Sequence, residues 1–452
     1  MAILSKQSLP LLGTLAGLWL SACNPATPVA EPRNLIFMLG DGMSFAQVKA
    51  YRMYADDPAT DLVEPLPMEA YQVGSVSTDS IRMVCNGAGC VRDPHGFTDS
   101  ASSATAYATG QDTIVGHLSV TDSGEPLPTI LEGARTLGKS TGMVATSQIT
   151  HASPAAFGSH VISREDTRRI ADQYFDLQWS ESPMVDVLLG GGANDMTRGD
   201  RDLIPEFRQA GYEIALNREE MLNSDGDRLL GLFAKEGLPR AWDRDESVPS
   251  LAEMTETALN TLQRNPRGFF LLVEGSQIDW AAHDNSVVDV VGEMEDFMEA
   301  VRLVLAFARE QGNTLVVITA DHETGGMSLG RDDIYHWDAK SLHGIRHSTK
   351  WMMQEYLDGE DSLSAIVSRN VSFELSPSEI EVLDAAARRE APARNALATL
   401  FNLRTLTGWA TEGHTGMDVP IYVFGPGSER FGGVMQNETV GQVLWDVFLP
   451  SD

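Results

Sequence analysis

One pattern recurs along this chain and constrains it more than any other feature. Short continuous apolar runs stop abruptly at a glycine or polar residue that carries an acid or a histidine. LIFMLGDGM at 35–43 stops at Asp41, FFLLVEGS at 269–276 stops at Glu274, and TLVVITADHETGG at 314–326 stops at Asp321 and His322. GMVATSQITHASP at 142–154 and VDVLLGGG at 185–192 look alike. Unbroken runs of this kind indicate strands covered on both faces, where no polar alternation is needed. Between them lie stretches with apolar residues at helical spacing, SLAEMTETALNTLQR at 250–264 and VVDVVGEMEDFMEAVRLVLAFAREQG at 287–312. Alternating strands and helices predict an α/β fold, a three-layer sandwich around a mainly parallel central sheet. Ligands in such sheets bind beyond the carboxyl ends of the strands. The polar stops fall there, so residues far apart in sequence are expected to converge on one site.

A length of 452 residues would allow two or three domains, and 42% hydrophobic with 21% charged residues describes a globular chain. A formal charge of −31 with few lysines excludes a nucleic-acid-binding surface, which needs clustered Lys and Arg. The first residues, MAILSKQSLPLLGTLAGLWLSAC, combine a positive charge at Lys6, an apolar run too short to span a bilayer, and small residues before Cys23. Residues 1–22 therefore read as a secretory signal. Its ending, LSAC, resembles the lipobox of bacterial lipoproteins, in which Cys23 becomes the lipidated first residue. Residues 23–33, rich in Pro and Ala, form a tether, and 34–452 form the folded domain with an insert at about 330–408. The expectation is an exported protein, periplasmic or at the cell surface, anchored to a bacterial membrane by lipid. Cys85 and Cys90 in CNGAGC close a short ring that an oxidising compartment would join as a disulfide; no further Cys or His pair completes a soft-metal site.

Taken singly, the remaining motifs are ambiguous. DWAAH sets Asp279 and His283 on one helical face, as metal ligands or surface neighbours alike. In DH, adjacent strand side chains at 321 and 322 would point oppositely. GFTDSASSATA at 96–106 is either a soft linker or a turn presenting one hydroxyl at a helix start. His343 and His347 read as helix-surface residues in a variable cap, 194–202 as a solvated loop, and 376–390 as an exposed helix capped by Ser376 with Pro377 first.

Together, GDGM at 40–43, TDSASSATA at 98–106, HASPAAFGSHVISR at 151–164, EGSQIDWAAH at 274–283, TADHETGG at 319–326 and EGHTG at 412–416 resemble the alkaline phosphatases, in that family's order. The resemblance implies two Zn2+ and one Mg2+ per chain. One zinc would be held by Asp279, His283 and His414, and the second by Asp41, Asp321 and His322. Magnesium would take Asp41, Glu274 and the hydroxyl of Ser153. Nitrogen with carboxylate suits zinc, and an all-oxygen set suits magnesium. The resemblance further selects Ser100 as the nucleophile that becomes a phosphoserine, Arg164 as the phosphate clamp, Asp99 as its orienting partner or an N-cap, phosphate monoesters as substrates, and a homodimer. Unaided monoester hydrolysis is extremely slow, so concentrated positive charge is what the chemistry demands. His151 stands where some bacterial members carry an Asp, and Trp280 where they carry a Lys; the pair resembles a cold-active marine subset. A phosphodiesterase or sulfatase on the same scaffold, or a noncatalytic phosphate-binding lipoprotein, are the competing readings. The sulfatase CxPSR-type pattern is missing from the chain.

Overall fold

The structure is a computed structural model that describes residues 31–56, 59–60, 63–86 and 89–449. Residues 1–30, with the expected signal and Cys23, lie outside the described residues. No helix among the described residues is long and apolar enough to cross a membrane.

A ten-stranded sheet forms the middle layer, in the order Gly433–Gln436, Gln72–Ser77, Val419–Phe424, Thr314–Thr319, Asn34–Gly40, Phe269–Gly275, Ser140–Gln148, Val187–Gly191, Leu229–Leu232, Glu213–Ala215. Val419–Phe424 runs against its neighbours, and the other pairings are parallel. Leu35, Ile36, Phe37, Met38 and Leu39 are all fully buried, odd and even positions alike. Both faces of the sheet are therefore covered, as the unbroken apolar runs require. The helices Leu251–Leu262, Val287–Gln311, Ala152–Gly158 and Ile130–Thr136 pack on the central strands.

Local chemistry sets the helix boundaries. Ser250 caps Leu251–Leu262 in a reciprocal pair with Glu253, and Val287–Gln311 ends at Gly312, whose φ of 68° suits a residue without Cβ. Ser376 caps the next helix with Pro377 first, but that helix stops at Asp384 and a separate one spans Glu390–Thr405. The segment between the last two metal motifs also contributes Thr349–Asp358 and Leu363–Asn370, and packs on Val287–Gln311 and Phe45–Tyr54.

Three further local expectations need correction. His343 and His347 are not helix-surface residues: His343 stacks on Tyr54 at 4.7 Å, and His347 stacks on Trp351 at 4.0 Å while bonding to Asp243 at 3.2 Å. The loop at 194–202 is partly helical from Ala193 to Met196, and Asp195 accepts the Thr150 hydroxyl at 2.5 Å and the Thr167 hydroxyl at 2.8 Å. Asp321 and His322 do not diverge, because their strand ends at Thr319 and strand alternation no longer governs them. Cys85 and Cys90 face each other across the paired strands Asp79–Asn86 and Gly89–Phe97 and are joined as a disulfide.

Candidate active site

Four adjacent strands, Thr314–Thr319, Asn34–Gly40, Phe269–Gly275 and Ser140–Gln148, end on the same side of the sheet. Asp41 follows the second, Glu274 closes the third, Asp321 and His322 lie just beyond the first, and His151 and Ser153 lie beyond the fourth. His414 arrives on a short strand paired with Glu323–Thr324. Asp279 and His283 share the helix Gln277–His283, with His283 Nε2 3.3 Å from Asp279 Oδ2. Gly42 permits the closing approach: its φ is +70°, and a Cβ there would stand 2.8 Å from Asp279 Cα.

The segment at 96–106 is no linker. Asp99 is the N-cap of Ser100–Thr109, accepting from Ser102 N at 3.0 Å, and every residue of that helix is buried. Its small side chains admit close neighbours; Gly441 on Asn437–Phe448 lies so near that a Cβ would be 2.3 Å from Ala106 O. The five hydroxyls separate by their partners. Thr98 bonds Ser102 at 2.8 Å, Ser103 donates to Asp321 O at 2.7 Å, and Thr105 donates to His117 O at 3.3 Å. Ser100 Oγ alone of the five faces a site histidine, at 3.2 Å from His322 Nε2. It also sits at a helix N-terminus, where backbone N–H groups and the dipole favour an anion.

Metal-ligating atoms gather in three groups, each within 4.8 Å: Asp279, His283 and His414; Asp41, Asp321 and His322; and Asp41, His151 and Glu274. The first two comprise the residues expected to hold zinc. The third joins His151 to two of the three residues expected to hold magnesium, and Ser153, two residues after His151, is fully buried.

The donor chemistry fits cations. Asp41 Oδ1 and Oδ2, Asp321 Oδ2, Glu274 Oε1 and Ser153 Oγ are buried with no hydrogen-bond partner, an arrangement that is costly unless something positive meets them. Burial and the charges of Asp321, Asp279 and Glu274 push Asp41 well above the usual carboxylate range. Burial raises Glu274 to about 7 against a 2.6 Å bond from Ser276, and raises Asp321 to about 6 with help from Asp279. Burial also opposes the Asp279 charge, yet the His283 bond and charge outweigh it and hold that carboxyl low. The histidines are oriented as ligands. His414 Nδ1 meets Thr98 O at 2.8 Å, His283 Nδ1 meets Glu412 O, and His322 Nδ1 meets Thr324 Oγ1 at 3.3 Å. These bonds turn Nε2 of each ring inward, and the three Nε2 atoms lie near Asp279 or Asp41, where Asp279 overcomes burial and raises His283 to about 9. Burial keeps His322 well below its usual pKa and so neutral.

Arg164 lies beside this cluster. Nη1 donates to Asp99 Oδ2 at 3.1 Å and Nη2 to His151 Nε2 at 3.1 Å. Burial and the guanidinium lower His151 to about 3, which leaves its ring neutral and accepting. Trp280 packs edge-on against His151 at 5.8 Å. The two roles weighed for Asp99, N-cap and partner of Arg164, coexist in this geometry. Three contributors went unread in the sequence. Thr324 donates to Asp279 Oδ1 at 2.5 Å while meeting His322, Ser276 supports Glu274, and Glu412 supports His283 through its backbone. Thr324 lies inside a motif, but a hydroxyl two residues from a ligand carries no periodic signal; a backbone acceptor carries no sequence signal at all.

A family model described as alkaline phosphatase matches residues 32–448. The chain belongs to the alkaline phosphatase family. It is similar to alkaline phosphatase 3 of Bacillus subtilis strain 168, 42% identical over 91% of this chain and 88% of that one. Its fold is similar to that of the cold-active alkaline phosphatase from a psychrophilic Shewanella, with a TM-score of 0.83, 34% identity, and coverage of 92% and 100%. A mutant of the alkaline phosphatase from the Antarctic bacterium TAB5, solved with magnesium in its M3 site, aligns with a TM-score of 0.66 and 25% identity, covering 94% and 100%. This alkaline phosphatase is a phosphoric monoester hydrolase.

Proposed function

We propose that the alkaline phosphatase activity of this chain proceeds through a phosphoserine on Ser100, and that it uses two Zn2+ and one Mg2+. The observation that carries the reading is Ser100 Oγ, which stands at a helix N-terminus 3.2 Å from His322 Nε2, an atom that itself lies 3.6 Å from Asp41 Oδ1 and 3.2 Å from Asp321 Oδ2, both buried and without a hydrogen-bond partner. Asp279, His283 and His414 would hold one zinc, Asp41, Asp321 and His322 the other, and Asp41, Glu274 and Ser153 the magnesium. When bound, these ions supply Lewis acidity that lowers the pKa of a hydroxyl and neutralises developing charge. Magnesium occupies the M3 site of a TAB5 mutant in which a histidine is replaced by glutamate, whereas here His151 stands beside Asp41 and Glu274, which leaves room for a different ion.

The residues then act in turn. Arg164, held by Asp99, takes two phosphate oxygens with its planar fork. Ser100 Oγ loses its proton and attacks phosphorus in line, forming the serine–phosphate bond as the ester P–O bond breaks and the alcohol leaves with a proton. Water attacks the phosphoserine, its proton is removed, and inorganic phosphate departs with Ser100 restored. Neutral His151 accepts from Arg164 and fixes the guanidinium plane. We further propose export with a lipid anchor at Cys23, a periplasmic or cell-surface location, and a homodimer; the lipobox-like LSAC and the family resemblance support these.

The test assays a phosphate monoester, a diester and a sulfate ester, with acid trapping of labelled enzyme. Monoester turnover that is lost in Ser100→Ala and with chelator, together with trapped phosphoserine, is expected. Wild-type rates in Ser100→Ala would overturn the covalent route, and preferred diester or sulfate turnover would favour the competing enzymes.

A further inference from the structure

A groove of about 700 Å³ is lined by residues that adjoin His283 and His414 in the chain, and no step above uses it. Asp284 and Asn285, directly after His283, form one wall. Trp409 and Glu412, shortly before His414, form the second, and Asn395 and Thr399 of the helix Glu390–Thr405 form the third.

The walls are tied to the metal-ligand segments. Glu412 O meets His283 Nδ1, Gly325 N donates to Gly413 O at 2.9 Å, and Ala410 N donates to Gly325 O at 2.9 Å. A Cβ on Gly325 would be 2.5 Å from Trp409 Cε3, so the indole rests on the TADHETGG turn. Trp409 Nε1 donates to Asn402 at 3.1 Å, and Asn402 donates to Asn285 O at 2.9 Å, which fixes the floor.

Direction follows from the nucleophile. Ser100 lies against His322, whose side chain is 1% exposed. An in-line displacement sends the leaving oxygen away from Ser100, and of the two histidine groups the one without the serine contact is Asp279, His283 and His414. His283 is 38% exposed there, and the groove begins at the next residue. Its fixed charges are largely internally paired: Asp284 with Arg394 at 3.0 Å and Asp332 with Arg331 at 2.7 Å. What remains for a ligand is the exposed amide of Asn395, the exposed Thr399 hydroxyl, the exposed Glu412 carboxylate and the indole of Trp409. Acceptors and amides suit a molecule with several hydroxyls, and an indole suits its C–H face.

We propose that this groove is the leaving-group subsite and that it takes the sugar of a sugar phosphate, an inference that rests on the phosphatase reading above. The test compares kcat/KM for glucose 6-phosphate and methyl phosphate with zinc- and magnesium-loaded enzyme. The one-carbon leaving group of methyl phosphate is too small to span the groove. Wild-type enzyme is expected to favour the sugar ester. Asn395→Leu and Trp409→Leu are each expected to lower the sugar-to-methyl ratio roughly five- to tenfold, and Trp409→Phe to keep most of it. Asn395 is an exposed helix residue, so its variant decides the matter if Trp409→Leu does not fold. A ratio unchanged in Asn395→Leu, or equal losses for both esters, would overturn the subsite. A wild type that hydrolyses neither ester would overturn the phosphatase reading and the subsite with it.

Discussion

Asp99 Oδ2 accepts from Arg164 Nη1 at 3.1 Å while its Oδ1 caps the helix that begins at Ser100. One carboxylate thus sets the spacing between nucleophile and guanidinium. Arg164 and the backbone N–H groups of Ser102 and Gly116 overcome burial and hold that carboxyl below its usual range.

Asp99→Asn keeps a capping oxygen but removes the charge. The loss of a charge-assisted bond, about 1.5–3 kcal/mol, predicts a KM raised by roughly tenfold or more with little change in Tm. Asp99→Ala additionally loses the cap, at about 1 kcal/mol of stability. Steady-state kinetics beside thermal melts separate the two effects; an unchanged KM in Asp99→Asn would show that Arg164 is oriented by other groups.

Trp280 packs on His151 and lies against Gly237, where a Cβ would come within 2.6 Å of the indole. Trp280→Lys places a second cation near Arg164. Phosphate should then bind more tightly and inhibit at lower concentration. The inhibition constant for inorganic phosphate reads this directly, and an unchanged constant would sink the idea.

Buried carboxylates at 41, 274, 279 and 321 without counter-ions are costly. Exhaustive chelation is therefore expected to abolish activity and lower Tm by several degrees, and added Zn2+ with Mg2+ to restore both. Calorimetry with and without chelator checks this. An apo protein as stable as the loaded one would mean that the cluster is not held together by cations.

His160 bonds Glu132 through Nε2 at 3.0 Å and Ser119 O through Nδ1 at 2.8 Å, tying the helix Ile130–Thr136 to the segment that leads to Arg164. Burial opposes the His160 charge, but Glu132 wins and raises it above 6.5; burial likewise opposes Glu132, and His160 lowers it below 4.5. The His160 contribution is complete below its unfolded pKa and fades as pH rises through the raised folded value. That of Glu132 is complete above its unfolded pKa and fades as pH falls through the lowered one. The pair is therefore strongest between about pH 4.5 and 6.5. His160→Gln should cost about 1–3 kcal/mol at pH 6 and less at pH 9, read as the difference in Tm from wild type. An equal loss at both pH values would refute a charged pair.

The strands of the central sheet were legible because runs such as LIFMLG must be apolar at every position when both faces are covered. The acids at their ends were legible as polar stops. Less so was Ser100, since five hydroxyls share its segment and only their partners distinguish them. Asp321 and His322 show the limit of periodicity. Alternation separates them, yet their side chains meet, His322 Nε2 lying 3.2 Å from Asp321 Oδ2, because the strand stops two residues earlier.

Residue type and local pattern determined what each segment of this protein could be: which runs are strands, where Ser250 and Ser376 begin helices and Gly312 ends one, and which atoms can ligate. Tertiary structure alone decided which of those atoms meet. His414 is oriented by Thr98 across 316 residues, and Ser100 faces His322 across 222. Contacts of that kind depend on the order in which strands join the sheet, a global outcome of burying every apolar face at once, and no local stretch encodes it.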